Sequence, residues 1–175
     1  MPSPSSPTGP VSPEVAEIER ALTRITYLST RARQHEKLMG LAGVPLDRAA
    51  VALLRQIADS EPQRPGELAN RLGVEASHVT RTVQQLQKSG HVTRVPDPDD
   101  RRAQRIRLTE TGRDAIARVR EAGARGMEVA LSGWSAEELR QLATLFHRMV
   151  DDFIAYAKDV DAEHEGAAET APRTG

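Results

Sequence analysis

The chain has 175 residues, 38% of them apolar, a formal net charge of −1 and no cysteine. That length suits one domain with a real core, and the lack of cysteine removes disulfides, thiolate nucleophiles and the common structural zinc sites together. No stretch approaches the roughly 18 consecutive apolar residues of a membrane span, and the N-terminus lacks the basic start and apolar run of a signal peptide, so no membrane partner and a cytoplasmic location are expected.

Charge is unevenly spread. From Arg64 to Arg118 eleven Lys or Arg stand against seven Asp or Glu, a local +4, which leaves −5 for the rest of the chain. The net charge taken alone argues against a nucleic-acid binder, but its distribution matters more than the sum, and basic charge is concentrated in this stretch.

Residues 1–12 carry Pro2, Pro4, Pro7 and Pro10 among small polar residues and read as a disordered tail. Ser12-Pro13-Glu14 is a helix start: a cap, a proline in the first turn and an acid at the positive end of the dipole. Val15, Ile18, Leu22, Ile25 and Leu28 follow at helical spacing, so one helix is expected to run to about Gly40, with Gly43-Val44-Pro45 as its break. Its narrow apolar stripe suits either a core cover or packing between subunits. A second helix is expected from Leu46 to Ser60, stopped by Glu61-Pro62, with Ala50, Leu53, Leu54 and Ile57 inward. Pro65 opens a third, with Leu68, Ala69 and Leu72 inward, and Gly73 makes the turn.

The fourth helix, about Ala76 to Ser89, has Val79, Val83 and Leu86 in one arc. Opposite lie Ser77, Arg81, Gln84 and Lys88, flanked by His78, Thr80 and Gln85, all hydrogen-bond donors and none acidic. Ordinary surface helices mix in Glu or Asp for i,i+4 pairing; an acid-free face suits a phosphate-lined groove, although a merely solvated polar face reads the same way. Gly90 ends this helix. His91 to Val95 and Arg105 to Leu108 alternate as two strands around the tip Pro96-Asp97-Pro98-Asp99-Asp100-Arg101-Arg102. Adjacent arginines on an exposed tip suit a narrow minor groove; a self-neutralising surface loop is the alternative. Thr109 is the expected N-cap of the next helix, with Ala115, Ile116, Val119 and Ala122 inward, Gly123 and Gly126 allowing a bend or close contact, and Met127 and Leu131 continuing the stripe. Ser135-Ala136-Glu137-Glu138 forms a capping box for the last helix, whose Leu139, Leu142, Phe146, Met149 and Phe153 repeat like a coiled-coil seam. After about Lys158 the chain turns acidic, small and polar, and is expected to fray.

The wing and its exit, Asp97-Pro98-Asp99-Asp100-Arg101-Arg102-Ala103 followed by Leu108-Thr109-Glu110-Thr111-Gly112, resemble the MarR (multiple antibiotic resistance regulator) family. Glu67-Leu68-Ala69, Leu72-Gly73-Val74 and Leu86-Gln87-Lys88-Ser89-Gly90 match it as well. The resemblance implies a mainly α fold with a small β-wing, a winged helix-turn-helix joined to a helical dimerisation region. It implies a homodimer in which the first, fifth and sixth predicted helices form the interface. The layout is then a tail over 1–12, a dimerisation helix over 13–44, the DNA-binding region over 45–112, dimerisation helices over 113–158 and a flexible acidic tail over 159–175. It further implies that Ser77, Thr80, Arg81 and Gln84 meet bases and phosphates of an inverted repeat in double-stranded DNA, with His78 and Lys88 beside them. At the wing, Asp100 would hold Arg102 in the minor groove, next to Arg101. The expected activity is repression relieved by a small effector, often phenolic or aromatic.

For an effector crevice the candidates are Tyr27, Arg31, His35, Asp47 and Arg48, where an arginine can receive a carboxylate; ion pairing in a dimer interface explains the same residues. His147 and Asp151 stand one turn apart but lack further ligands nearby, which makes a metal-responsive regulator the weaker variant. No cofactor is expected. Enzymatic readings fail for want of a phosphate loop, nucleophile elbow or paired acids. Ser77 and His78, neighbours on a helix, point about 100° apart and cannot act as nucleophile and base. A dimeric interaction module without DNA binding is the rival reading.

Overall fold

The computed structural model describes residues 10–60, 62–100 and 102–169, with side chains through residue 160. In chain order the elements are α1 (Pro13–Ser29), α2 (Ala32–Ala42), α3 (Arg48–Asp59), α4 (Pro65–Leu72), α5 (Ala76–Lys88), β1 (Val92–Pro96), β2 (Gln104–Leu108), α6 (Glu110–Ala130) and α7 (Ala136–Glu169). They fall into two compact units, one ending at Gly126 and one beginning at Met127.

The first unit is built around α3. Leu53, Leu54 and Ile57 pack with Leu68 and Ala69 of α4, Val79, Val83 and Leu86 of α5, Val92, Ile106 and Leu108 of the strands, and Ile116 of α6. Every inward position expected on the helices from α3 to α5 is therefore buried, except Leu72, which packs partly buried against the same cluster. A second cluster joins Met39, Ala42 and Val44 to Val51 of α3 and to Ala115, Val119 and Ala122 of α6. Gly73, at φ 61°, takes the left-handed conformation that ends α4, a conformation costly for any residue with a Cβ.

β1 and β2 form an antiparallel hairpin with Val92 opposite Leu108 and Pro96 opposite Gln104. Gln63, between α3 and α4, adds a short third rung: its N–H donates to Ile106 O (3.2 Å) and its carbonyl accepts from Ile106 N–H (2.7 Å). Its buried side chain also donates to the carbonyls of Gln56 and Ser60, so the end of α3 and the hairpin are tied at one residue. Glu61, expected to stop α3, lies outside the described residues, as does the tail up to residue 9.

The single helix expected from Ser12 to about Gly40 is two helices. The apolar spacing runs on, but the backbone breaks at Thr30 and Arg31, with Arg31 extended (φ −66°, ψ 131°). Hydroxyls bond back at this break, Ser29 Oγ to Thr26 O (2.9 Å) and Thr30 Oγ1 to Tyr27 O (3.1 Å), competing for carbonyls that a continuing helix needs. Arg48 from α3 then donates to the carbonyls of Ser29 (3.4 Å) and Arg31 (3.2 Å). The end expected near Gly40 falls at Ala42, where Gly43 adopts φ 62°. The fourth predicted helix is thus α5.

The Leu-Thr-x-x-Gly stretch has a direct physical role. Leu108 is core, and Thr109 Oγ1 donates to Gly90 O (2.6 Å) while accepting from Gly112 N–H (3.1 Å), capping α6 and binding it to the turn after α5. A Cβ on Gly112 would stand 2.1 Å from His91 O, a backbone atom that cannot rotate away.

In the second unit, Ser135 and Glu138 form the expected capping box: Ser135 N–H donates to Glu138 Oε2 (2.7 Å) and Glu138 N–H to Ser135 Oγ (3.2 Å). The helix they start continues to Glu169, past Lys158, through an Ala- and Glu-rich segment of high helix propensity. Among the described residues no helix is long and apolar enough to cross a membrane.

Substituting Gly112 by Ala is expected to destabilise the fold by about 1–3 kcal/mol, the usual cost of overpacking. Gly123, inside α6 with nothing within 4 Å of an added Cβ, should give the opposite sign, a gain of about 0.4–1 kcal/mol on substitution by Ala. Urea denaturation of both variants checks the pair.

Candidate nucleic-acid interface

The interface is assembled from α5 and the hairpin. Val79, Val83 and Leu86 pin one face of α5 into the core, so the opposite face must point outward. Ser77, His78, Thr80, Arg81, Gln84 and Lys88 are all exposed there. Thr80 Oγ1 donates to Ala76 O (2.9 Å). The side chains of Ser77, His78, Arg81, Gln84 and Lys88 have no partner among the described residues, which leaves a row of donors open to a ligand along a helix of 13 residues.

The hairpin projects beside this helix and is braced to it. Arg94 of β1 donates from Nε to Gln87 Oε1 of α5 (3.0 Å) and from a terminal nitrogen to Gln104 Oε1 of β2 (3.5 Å). The stronger brace is Asp97, whose side chain is fully buried. Its Oδ2 accepts from Arg64 Nε (2.6 Å) and Arg105 Nε (2.8 Å). Its Oδ1 accepts from Arg105 Nη2 (3.3 Å) and from the N–H groups of Asp99 (2.9 Å) and Asp100 (3.3 Å). Arg105 also pairs with the exposed Asp99 (2.9 Å). The Arg64 guanidinium above all, then that of Arg105, holds the Asp97 carboxyl far below the usual carboxylate range, against the opposing effect of burial.

Asp100 is exposed, and its Oδ1 accepts the backbone N–H of Arg102 (2.9 Å). The carboxylate thus shapes the turn rather than gripping the guanidinium, and the exposed Arg102 side chain has no partner among the described residues. Arg101 lies outside the described residues. Arg64 and Arg105 escape a reading of the sequence because motif logic directs attention to the exposed tip. The signal available was the strand register, which sets Arg105 opposite Val95, two residues before Asp97.

Each of the five effector candidates has a structural bond, Tyr27, Arg31 and Arg48 at the break between α1 and α2 and His35 and Asp47 at the entry to α3. Arg31 donates to Tyr27 Oη (3.3 Å) and lies over its ring, 4.8 Å from the centroid. Arg48 holds the two carbonyls described above, and His35 Nε2 is 3.0 Å from Leu46 O. Asp47 caps α3 by accepting Ala50 N–H (2.7 Å). His147 Nδ1 is 2.8 Å from Ala143 O, and no group of three His, Asp or Glu placed to hold a metal occurs among the described residues.

Asp97 makes stability depend on pH in a stated direction. A carboxyl whose folded pKa lies below its unfolded value of about 3.9 contributes fully above that value, and the contribution is lost as pH falls through the folded pKa. Asp97→Asn is therefore expected to lower the thermal midpoint at pH 7, and the gap from the parent protein should narrow on acidification below about pH 4. Calorimetry across that range checks it; a gap independent of pH would mean that the carboxylate's charge does not hold the wing.

Comparison with known proteins agrees with this geometry. The model of the MarR family matches residues 46–103, the stretch from the start of α3 to the wing. The uncharacterized HTH-type transcriptional regulator YdgJ of Bacillus subtilis is 32% identical over 65% of this chain and 68% of its own. Among solved structures, transcriptional regulator Tm0710 from Thermotoga maritima is 28% identical with a TM-score of 0.56, covering 89% of this chain and 99% of its own. A MarR family protein from Bacillus stearothermophilus shares the fold at a TM-score of 0.72 and 23% identity, covering 83% and 99%. An acid-free helix face, a braced wing and these likenesses converge: the chain belongs to the MarR family of winged helix-turn-helix proteins, DNA-binding regulators of transcription and not enzymes.

Proposed function

We propose that this regulator is a homodimeric repressor that covers an inverted repeat in double-stranded DNA and is released by a small aromatic or phenolic effector. The observation carrying the DNA arm is the exposed donor face of α5, free of acids, standing beside a wing that presents Arg102. Ser77, Thr80, Arg81 and Gln84 read base edges and phosphates in the major groove, with His78 and Lys88 at the ends of that row. Arg102, with Arg101, enters the flanking minor groove, where a narrow A·T-rich groove concentrates negative potential.

Dimerisation is supported by apolar surface that each helical element leaves in water. Val15, Ile18, Ile25 and Leu28 of α1 are about half exposed, and Leu139, Leu142, Phe146 and Phe153 of α7 are exposed along the heptad-like seam. Two copies related by a two-fold axis place their α5 helices about one turn, roughly 34 Å, apart on DNA. The effector arm is supported by Tyr27, Arg31 and Arg48 at the α1–α2 break, with His35 and Asp47 bonded at the start of α3. A carboxylate at the break competes with backbone carbonyls for Arg48 and with the Tyr27 hydroxyl for Arg31. A ligand that prefers one disposition of that break shifts the population away from the DNA-competent spacing without touching DNA.

Gel-shift titration on DNA flanking its own gene, at two salt concentrations, tests the reading. The protein should bind with a sequence preference and weaken steeply with salt. Arg81→Ala is expected to cost about 1–3 kcal/mol and relax that preference. Arg102→Ala should weaken binding with a salt slope shallower by about one, leaving the dimer intact by sedimentation. Absence of salt-sensitive, sequence-preferring binding counts against the proposal.

A further inference from the structure

The hydrogen bonds around the wing form a continuous path from the helix pair to the tip. Arg64 immediately precedes α4, whose Leu68 and Ala69 are locked in the core. Its Nε meets Asp97 Oδ2 at 2.6 Å. Asp97 Oδ1 in turn accepts the N–H groups of Asp99 and Asp100, and Asp97 N–H donates to Ala103 O (3.2 Å), closing the loop across its neck. Ala103 N–H donates to Asp100 O (2.9 Å), and Asp100 Oδ1 accepts Arg102 N–H (2.9 Å). The path therefore starts at the first turn of the helix-turn-helix and ends on the backbone of Arg102.

We propose that Asp97 is a positioning residue for DNA recognition: by clamping Arg64 and Arg105 it sets the angle at which the wing carries Arg102, so that α5 and the wing meet DNA as one rigid reader. The inference rests on the DNA-binding function proposed above and adds to it a residue that never touches DNA. Its physical basis is preorganisation. A tip already ordered by five hydrogen bonds to one carboxylate pays little further conformational entropy when Arg102 enters a groove.

Simple electrostatics makes the opposite prediction, which gives the test its force. Asp97→Asn removes a negative charge beside a polyanion and, on charge alone, tightens binding. The positioning role requires weaker binding. Fluorescence anisotropy with a labelled duplex carrying the inverted repeat from DNA flanking its own gene, run on Asp97→Asn, Arg102→Ala and the double variant, separates the two. Asp97→Asn should weaken binding roughly tenfold, the scale of one lost wing contact, and should cost nothing more once Arg102 is Ala. Asp100→Ala, at the exposed end of the path, should behave in the same way and decides the matter if Asp97→Asn does not fold by circular dichroism. Unchanged or tighter binding in the folded variants, or losses that multiply with that of Arg102→Ala, overturns the positioning role while leaving the DNA-binding reading intact. A parent protein that fails to bind the duplex overturns both.

Discussion

A buried carboxylate has to be surrounded by donors, because the interior offers no water to replace the hydration it gives up. Asp97 meets this condition by drawing on three parts of the chain: Arg64 before α4, Arg105 on β2, and the amides of its own loop. Each of these partners is thereby fixed in place. Arg64 cannot reach the carboxylate unless α4 starts where Pro65 starts it, and Arg105 cannot unless the hairpin keeps its register. The Gln63–Ile106 rung and the Arg94–Gln87 bond confirm the same placement from the α3 and α5 sides. A two-stranded hairpin on its own is marginal in water; this one is held because its base is core, through Val92, Ile106 and Leu108, and its neck is ionic.

Elements set by local or short-period physics were legible in the chain. The apolar spacing of Leu53, Leu54 and Ile57, the left-handed turn at Gly73, the cap at Ser12 and the Ser135–Glu138 box all stand where residue chemistry puts them. What escaped depends on contacts distant in sequence. Helical periodicity continues through Thr30 and Arg31, and the carbonyls freed at the interruption are taken by Arg48, 17 and 19 residues away, beside the local hydroxyl bonds of Ser29 and Thr30. Likewise the tip holds three acids within four residues, Asp97, Asp99 and Asp100, and composition cannot say which is buried. The choice is made by Arg64, 33 residues upstream of Asp97.

The distribution of charge acquires a structural meaning in this frame. The net charge of −1 conceals a basic segment in which six of the cations serve two different ends. Arg64, Arg94 and Arg105 are spent on internal bonds that shape the wing, while Arg81, Lys88 and Arg102 stand exposed without partners among the described residues. The second group is available to phosphates and base edges, and the first determines how those cations are spaced. In the proposed complex the exposed cations make the contacts with DNA, and the internally bonded arginines hold the wing that carries Arg102.

In the proposed complex α5 occupies a major groove and the wing the adjoining minor groove, twice, about a two-fold axis. Dimethyl sulfate protection on the bound duplex measures it most directly, since the reagent reports guanine N7 in the major groove and adenine N3 in the minor groove. Two patches of N7 protection about one helical turn apart are expected, each flanked on its outer side by protected N3 positions. A single patch, or N7 protection with no flanking N3 protection, would contradict this arrangement.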